Sequence, residues 1–219
     1  MTGELFPTTE RIHMIVAEEI GDAGGTVSDC YDDGRRLFLR AVLPAVREVR
    51  VMDGVQGGVA VAAIGEDIRV HPYTFRQVCR NGAVMSRVIG TESIRRAAWP
   101  RTEAEWELRQ ILRTCASAEV FAGAVSQMRS AADQRVDESL MLLPLLLRFS
   151  RHLAQQVVSQ FTRGRDPSGF GLMNAITSVA RDEPDPETRW RLEELGGGVP
   201  ALVPPVPRCG AAAAELVLT

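Results

Sequence analysis

The rhythm of apolar and polar positions changes near residue 100. Behind Thr8 and Thr9, the residues Ile12, Ile15, Val16 and Ile20 recur at helical spacing, and Gly21 ends the pattern, so a helix is expected over 8–20. The rhythm then shortens to two. Thr26–Tyr31, Arg36–Leu43, Val46–Met52, Gly58–Ile64 and Ile68–His71 read as strands, and Asp33-Gly34, Asp53-Gly54 and Gly65-Glu66-Asp67 read as the turns between them. Pro72 is expected to open a short helical turn leading to Val78 and Cys79. Asn81-Gly82 is expected to be a turn or helix stop, with one more strand over Ala83–Ile89.

From residue 102 the period is helical. Thr102 and Glu105 have the spacing of a capping box, and Leu108, Ile111, Leu112, Cys115, Ala122 and Val125 form the stripe of one long helix. A second helix is expected over Leu142–Arg163, with Leu146, Phe149, Leu153, Val157 and Phe161 on one face and Gly164 as its stop. A third covers Leu172–Arg181. A fourth starts at Asp185-Pro186 and is expected to end at Leu195, before Gly196–Gly198. Each half has one apolar face and neither can bury it alone. The fold class expected is therefore α+β, an N-terminal antiparallel β-meander packed against a helical C-terminal half. It reads as a single domain over 1–198 (helix 8–20, strand-rich 26–90, helical 102–195), with a loose Pro/Ala-rich tail over 199–219. The stretch Ser139–Leu147 is apolar on every face of a helix, which calls for burial on all sides, either within the domain or in a homo-oligomer.

The longest apolar run, Leu140–Leu147 with Pro144 inside it, is far short of the roughly 20 residues that span a bilayer. The start, MTGELFPTTE, has no apolar core segment of a secretory signal. No membrane partner and a cytoplasmic location are the expectations. Cys30, Cys79, Cys115 and Cys209 are widely spaced and are expected to be free thiols.

All 25 basic residues are arginine, so Schiff-base lysine chemistry and a lysine-completed phosphate loop are excluded. The charge is unevenly placed within a net −3. From Ile68 to Arg101, seven arginines face one acid, Glu92, which makes that stretch +6 and the remainder −9. A second stretch, Arg148–Arg165, carries Arg151, His152 and Arg163 and no acid before Asp166. Such strips are either solvated surface or faces toward an anion.

His13, His71 and His152 lack ligand spacing, so no metal is expected, and no cofactor motif is present. The acidic pairs fall at expected turns and helix ends, where capping explains them. Cys79 would need a base to act as a nucleophile, and His71 is the nearest in sequence.

Two segments stand apart. Arg76-x-Val78-Cys79-x-Asn81-Gly82 follows the meander, and Gly171-Leu172-x-Asn174-Ala175-x-Thr177 opens a helix with Asn174 and Thr177 on one face. Together, over roughly residues 30–195, they resemble the R-x-V-C-x-N-G and G-x-x-N-A-x-T motifs of a phage- and plasmid-associated bacterial protein family of unknown function. The N-terminal region and the C-terminal continuation depart from that family. The resemblance implies a mobile-element setting, such as replication, recombination or defence, and that Arg76, Cys79, Asn81 and Asn174 meet in space.

The first expectation for function is therefore nucleic-acid association, of the single-stranded DNA binding or annealing kind. Arg69, Arg76, Arg80, Arg87, Arg95 and Arg96 would face the strand, because the planar guanidinium pairs with phosphate and stacks on bases. The alternative is a protein-interaction module acting on a host or phage factor through the acidic remainder. An enzyme built around Cys79, Asn81 and Asn174 ranks last, because no nucleophile–base–orienter set is visible.

Overall fold

The computed structural model describes residues 7–65, 67–77, 80–85, 92–95, 101–136 and 145–202, with the backbone alone for 92–95, 101, 201 and 202. Helix α1 (Thr9–Asp22) begins at the Thr8 cap, whose hydroxyl accepts from Arg11 N–H. Five strands follow as an antiparallel meander in chain order: β1 (Thr26–Asp32), β2 (Arg36–Arg50), β3 (Asp53–Ile64), β4 (Asp67–Arg76) and β5 (Asn81–Val84). Strand β6 (Glu92–Arg95) pairs with residues 67–70 of β4, while β5 pairs with residues 73–76, so the two short strands divide one edge. The helices are α2 (Arg101–Cys115), α3 (Ala118–Ala132), α4 (Arg151–Gly164), α5 (Gly169–Arg181) and α6 (Pro186–Leu202).

Strand alternation places helices on both faces of the sheet. Leu37, Leu39, Ala41, Val59, Val61, Ile68 and Val70 point to one face, under Ile12, Ile15, Val16 and Ile20 of α1 and Leu108 and Leu112 of α2. The two helices are tied by Glu19, which accepts from Arg109 Nη1 and Arg113 Nε, each at 2.7 Å. The bond from Arg113 is the main reason the Glu19 carboxyl is held below its usual range. Phe38, Ala60, Ala62, Tyr73 and Val84 point to the other face and meet Trp190 of α6. A third core joins α3, α4, α5 and α6 to Val49, Val55, Ala83 and Met85 at the far end of the sheet. Helix α6 is thus buried between the sheet and the other helices. The expected α+β class and the packing of the sheet against the helices hold.

Several boundaries differ, each for a physical reason. Arg36–Leu43 and Val46–Met52 are not two strands. They form one strand, β2, with a register shift between Val42 and Val46 that accommodates Pro44. The following turn is Val51-Met52, since Arg50 pairs with Asp53 and Gly54 already lies in β3. Pro72 opens no helical turn. It sits within β4 opposite Val59, and Asn81-Gly82 is strand opposite Arg76 and Phe75. The long helix expected after residue 102 is two, because Ser117 caps α3 by accepting from Val120 N–H. Glu105 bonds Arg11, with Nη2 at 2.7 Å, and Thr102 lies inside α2, so they form no capping box. Ser150 likewise caps α4 and interrupts the helix expected over 142–163; residues 137–144 lie outside the described residues.

The largest departure is α6, which does not stop at Leu195. It runs through Gly196–Gly198 and Pro200 to Leu202, so the first residues of the tail expected from Val199 are helix, and residues 203–219 lie outside the described residues. These glycines serve close packing. A Cβ at Gly197 would collide with the Val84 carbonyl oxygen of β5, and one at Gly196 would lie 2.7 Å from the Thr177 methyl of α5.

Candidate functional site

The two motif segments meet. Asn81, at the start of β5, donates through Nδ2 to Thr177 Oγ1 on α5 and, at 3.5 Å, to the Asn174 carbonyl. Thr177 passes the chain on, its hydroxyl donating to Met173 O at 2.9 Å. Arg76, opposite Asn81 in the ladder, donates from Nε and Nη2 to the two oxygens of Asp53, each at 2.6 Å. Its guanidinium also lies over the Phe170 ring, 5.6 Å from the centroid, and that of Arg50 lies 5.5 Å from the same centroid. Arg50 in turn donates to Asp166 Oδ2 at 2.6 Å, to Ala132 O at 2.8 Å and to Ser168 Oγ at 3.0 Å. Burial pushes the Asp166 carboxyl up, but the bonds from Arg50 and Ser168 outweigh it and hold the group below the usual range.

The motif glycines are explained by packing. A Cβ at Gly82 would collide with the Tyr73 hydroxyl, and one at Gly171 with the Asp166 carbonyl oxygen. Ser168 caps α5 by accepting from Gly171 N–H at 3.0 Å. The constellation encloses a cavity of about 10 Å³ between Thr74, Arg76, Asn81, Phe170, Asn174 and Thr177. Thr74 Oγ1 and Asn81 Oδ1 are buried there without a protein partner. A space of that size suits one water molecule, not a substrate. Arg76, Asn81, Gly82, Gly171 and Thr177 thus form an internal latch between the sheet edge and α5. Val78 and Cys79 lie outside the described residues, and so does the expected approach of Cys79 to Asn174.

Of the six arginines expected to face a strand, Arg69 is half-buried on β4, Arg76 is engaged by Asp53, and Arg80 is exposed with φ 51°. Arg95 contributes backbone to β6, while Arg87 and Arg96 lie outside the described residues. Tyr73, the first aromatic of that strip, is buried in the core and offers no stacking platform.

The second basic stretch is more open. Arg148, Arg151, His152, Arg163 and Arg165 are all exposed, and none makes an ion pair with a described residue. Arg165, in the left-handed region at φ 52°, ends α4 and leads directly into Asp166, the partner of Arg50. Around that contact stand two further guanidinium groups. Arg129 Nε donates to Glu48 O at 3.0 Å, and Arg47 lies over the Phe121 ring at 5.9 Å. A groove of about 550 Å³ runs beside α4, with His152, Gln156 and Arg163 on one wall and Asp182 and Glu183 on the other.

One polar group has no motif to announce it. Ladder register sets Asp29, Arg40, Ala60 and His71 in one row across β1–β4. Arg40 donates to Asp29 at 3.0 Å and to Glu193 of α6 at 2.7 Å, and Arg189 reaches both acids. Trp190 packs against His71 with ring centroids 5.7 Å apart and planes tilted by 52°, beside the small Ala60. Both His71 ring nitrogens are buried without a partner, and burial lowers its pKa to about 4. Sequence reading treats Asp53 as a turn residue and passes over Arg40, Arg50 and Glu193. The one available signal is the charged Arg40 inside the apolar run Leu37–Leu43.

Among the described residues no cluster of His, Cys, Asp and Glu could hold a metal, and no helix is long and apolar enough to cross a membrane. Neither a protein-family model, nor a curated protein, nor a solved structure matches the chain.

Proposed function

We propose that this chain is a nucleic-acid-associated protein of the mobile-element type that holds a single strand along the outer face of α4 and the basic end of the molecule beside it. The observation that carries the reading is the set Arg148, Arg151, Arg163 and Arg165 at the two ends of α4, exposed and without a carboxylate partner among the described residues. Six arginines elsewhere, Arg11, Arg36, Arg40, Arg76, Arg109 and Arg113, hold acids and are neutralised. A guanidinium left unpaired on a net-acidic protein is available to phosphate. The cavity at the motif residues, about 10 Å³ and too small for a substrate, argues against an enzyme built around Asn81 and Asn174.

The test is fluorescence anisotropy with a single-stranded oligonucleotide at about 50 and 200 mM salt, where counterion release is strong. Binding should weaken with salt by a log–log slope of about −0.7 per engaged phosphate, and Arg151→Ala with Arg163→Ala should flatten it by about 1.4. Absence of binding at the lower salt overturns the reading and favours a protein-interaction module.

A further inference from the structure

The turn between β2 and β3 is built from the wrong residues for a turn that only has to turn. Arg50 pairs with Asp53, leaving a two-residue loop of Val51 and Met52. Met52 has φ 62°, a left-handed conformation that glycine or asparagine adopts at little cost and a methionine does not. Val51 is 88% exposed and Met52 84%, the two most exposed large apolar residues among those described, and Val46 on the stem is 48% exposed. A strained, solvated apolar tip contributes nothing to the core. Backbone strain at such a place points to a function outside the fold.

What surrounds the tip names its counterpart. Arg50 and Arg129 are anchored on the hairpin stem and the end of α3, and Arg47 is on the stem itself. Of these three guanidinium groups only Arg50 meets a carboxylate, that of Asp166. The acids of the same region are Glu48, Asp53, Asp133 and Asp166, against Arg47, Arg50, Arg76, Arg129, Arg135 and Arg165, so its balance is still positive. Through the Arg50–Asp166 contact the stem adjoins Arg165 at the C-terminal end of α4. An apolar tip at the end of a stem that carries arginines is complementary to a nucleic-acid strand. The phosphates meet the guanidinium groups, and a base leaves its stack to lie on the apolar side chains, the use that nucleic-acid-bending proteins make of inserted Met and Leu.

We propose that Val51 and Met52 are the base-contacting element of this protein, packing against an unstacked base of a single strand whose phosphates are held by Arg47, Arg129 and the arginines Arg163 and Arg165 at the end of α4. This rests on the nucleic-acid reading above and adds to it the part of the fold that touches bases.

The test uses the full chain carrying Val51→Ser with Met52→Gly. Glycine relieves the left-handed strain, so the melting temperature should not fall. Affinity for a single-stranded oligonucleotide should fall about tenfold, the scale of losing one buried apolar side chain. An oligonucleotide containing 2-aminopurine should brighten on binding the unaltered protein, as the base unstacks, and not on binding the variant. If the unaltered protein binds with the expected salt slope but the variant binds equally well and the fluorescence change persists, the tip proposal is overturned while the nucleic-acid reading stands. If the unaltered protein binds no strand at about 50 mM salt, both fall. Cosedimentation with phosphatidylserine vesicles that depends on Val51 and Met52, in the absence of strand binding, would assign the tip to a lipid surface instead.

Discussion

Arg40 on β2 and Glu193 on α6, 153 residues apart in sequence, meet at 2.7 Å with each side chain only 2% exposed. Burial pushes the Glu193 carboxyl up, and the charges of Arg40 and Arg189 draw it back. Removing Glu193 leaves the buried Arg40 with the partly exposed Asp29 as its one remaining partner among the described residues. Glu193→Ala is therefore expected to cost about 3–5 kcal/mol in urea unfolding, whereas Arg40→Met with Glu193→Leu should come much nearer the parent stability. Equal losses in the two proteins would show that the pair itself, not the charge left behind, carries the stability.

Asn81 and Thr177 form the latch between the sheet edge and α5, so their contributions should be coupled. In a double-mutant cycle of Asn81→Ala and Thr177→Val, each single change is expected to cost about 1–3 kcal/mol. The coupling should be about 0.5–3 kcal/mol. Additive effects would mean that the two side chains stabilise separate parts of the fold.

His71 makes stability depend on acid. Its folded pKa of about 4 lies below the usual value of 6.5, because burial under Trp190 disfavours the charged ring and Arg69 on the same strand adds to the effect. Below pH 6.5 the unfolded chain binds the proton and the folded chain does not, so stability falls with pH down to about 4 and is unaffected above 6.5. The loss should reach ~3 kcal/mol across that window. His71→Phe should flatten the urea midpoint between pH 6.5 and 4 relative to the parent. A parallel decline in both proteins would place the acid sensitivity elsewhere.

Gly197 lets α6 lie on β5, and nothing there can yield but backbone. Gly197→Ala should cost roughly 1–3 kcal/mol despite alanine's better helix propensity. Gly123, whose Cβ would meet nothing within 4 Å, is the control: Gly123→Ala within α3 should stabilise by roughly 1 kcal/mol. Thermal melts of the two variants separate the effects.

Self-association is expected from the apolar run ending at Leu147. Leu145 is buried, while Leu146 is 50% and Leu147 76% exposed. Leu146→Ser with Leu147→Ser should lower the light-scattering mass at micromolar concentration if these side chains join two copies. A monomeric mass for the unaltered chain would reject that.

Periodicity by itself determined the sheet-then-helix order, the hairpin turns at Asp33-Gly34 and Gly65 and the cap of the last helix at Asp185, because alternation and local capping act between residues close in sequence. The family resemblance, not the periodicity, implied that Arg76, Cys79, Asn81 and Asn174 meet; Arg76, Asn81 and Asn174 do come together, and only the fold shows their task, which is to latch β5 to α5 through Thr177. Only the tertiary structure decided which glycines end a helix and which let one pass. Gly164 is only the last helical residue of α4, whose left-handed cap is Arg165, while Gly196 and Gly197 lie inside α6, where α5 and β5 pack against them. Only it could pair Arg40 with Glu193, occupy Arg76 with Asp53 rather than with a strand, and leave Val51 and Met52 at a tip. A charge or an apolar side chain takes its role from what lies across the fold from it, and the distance along the chain carries no trace of that neighbour.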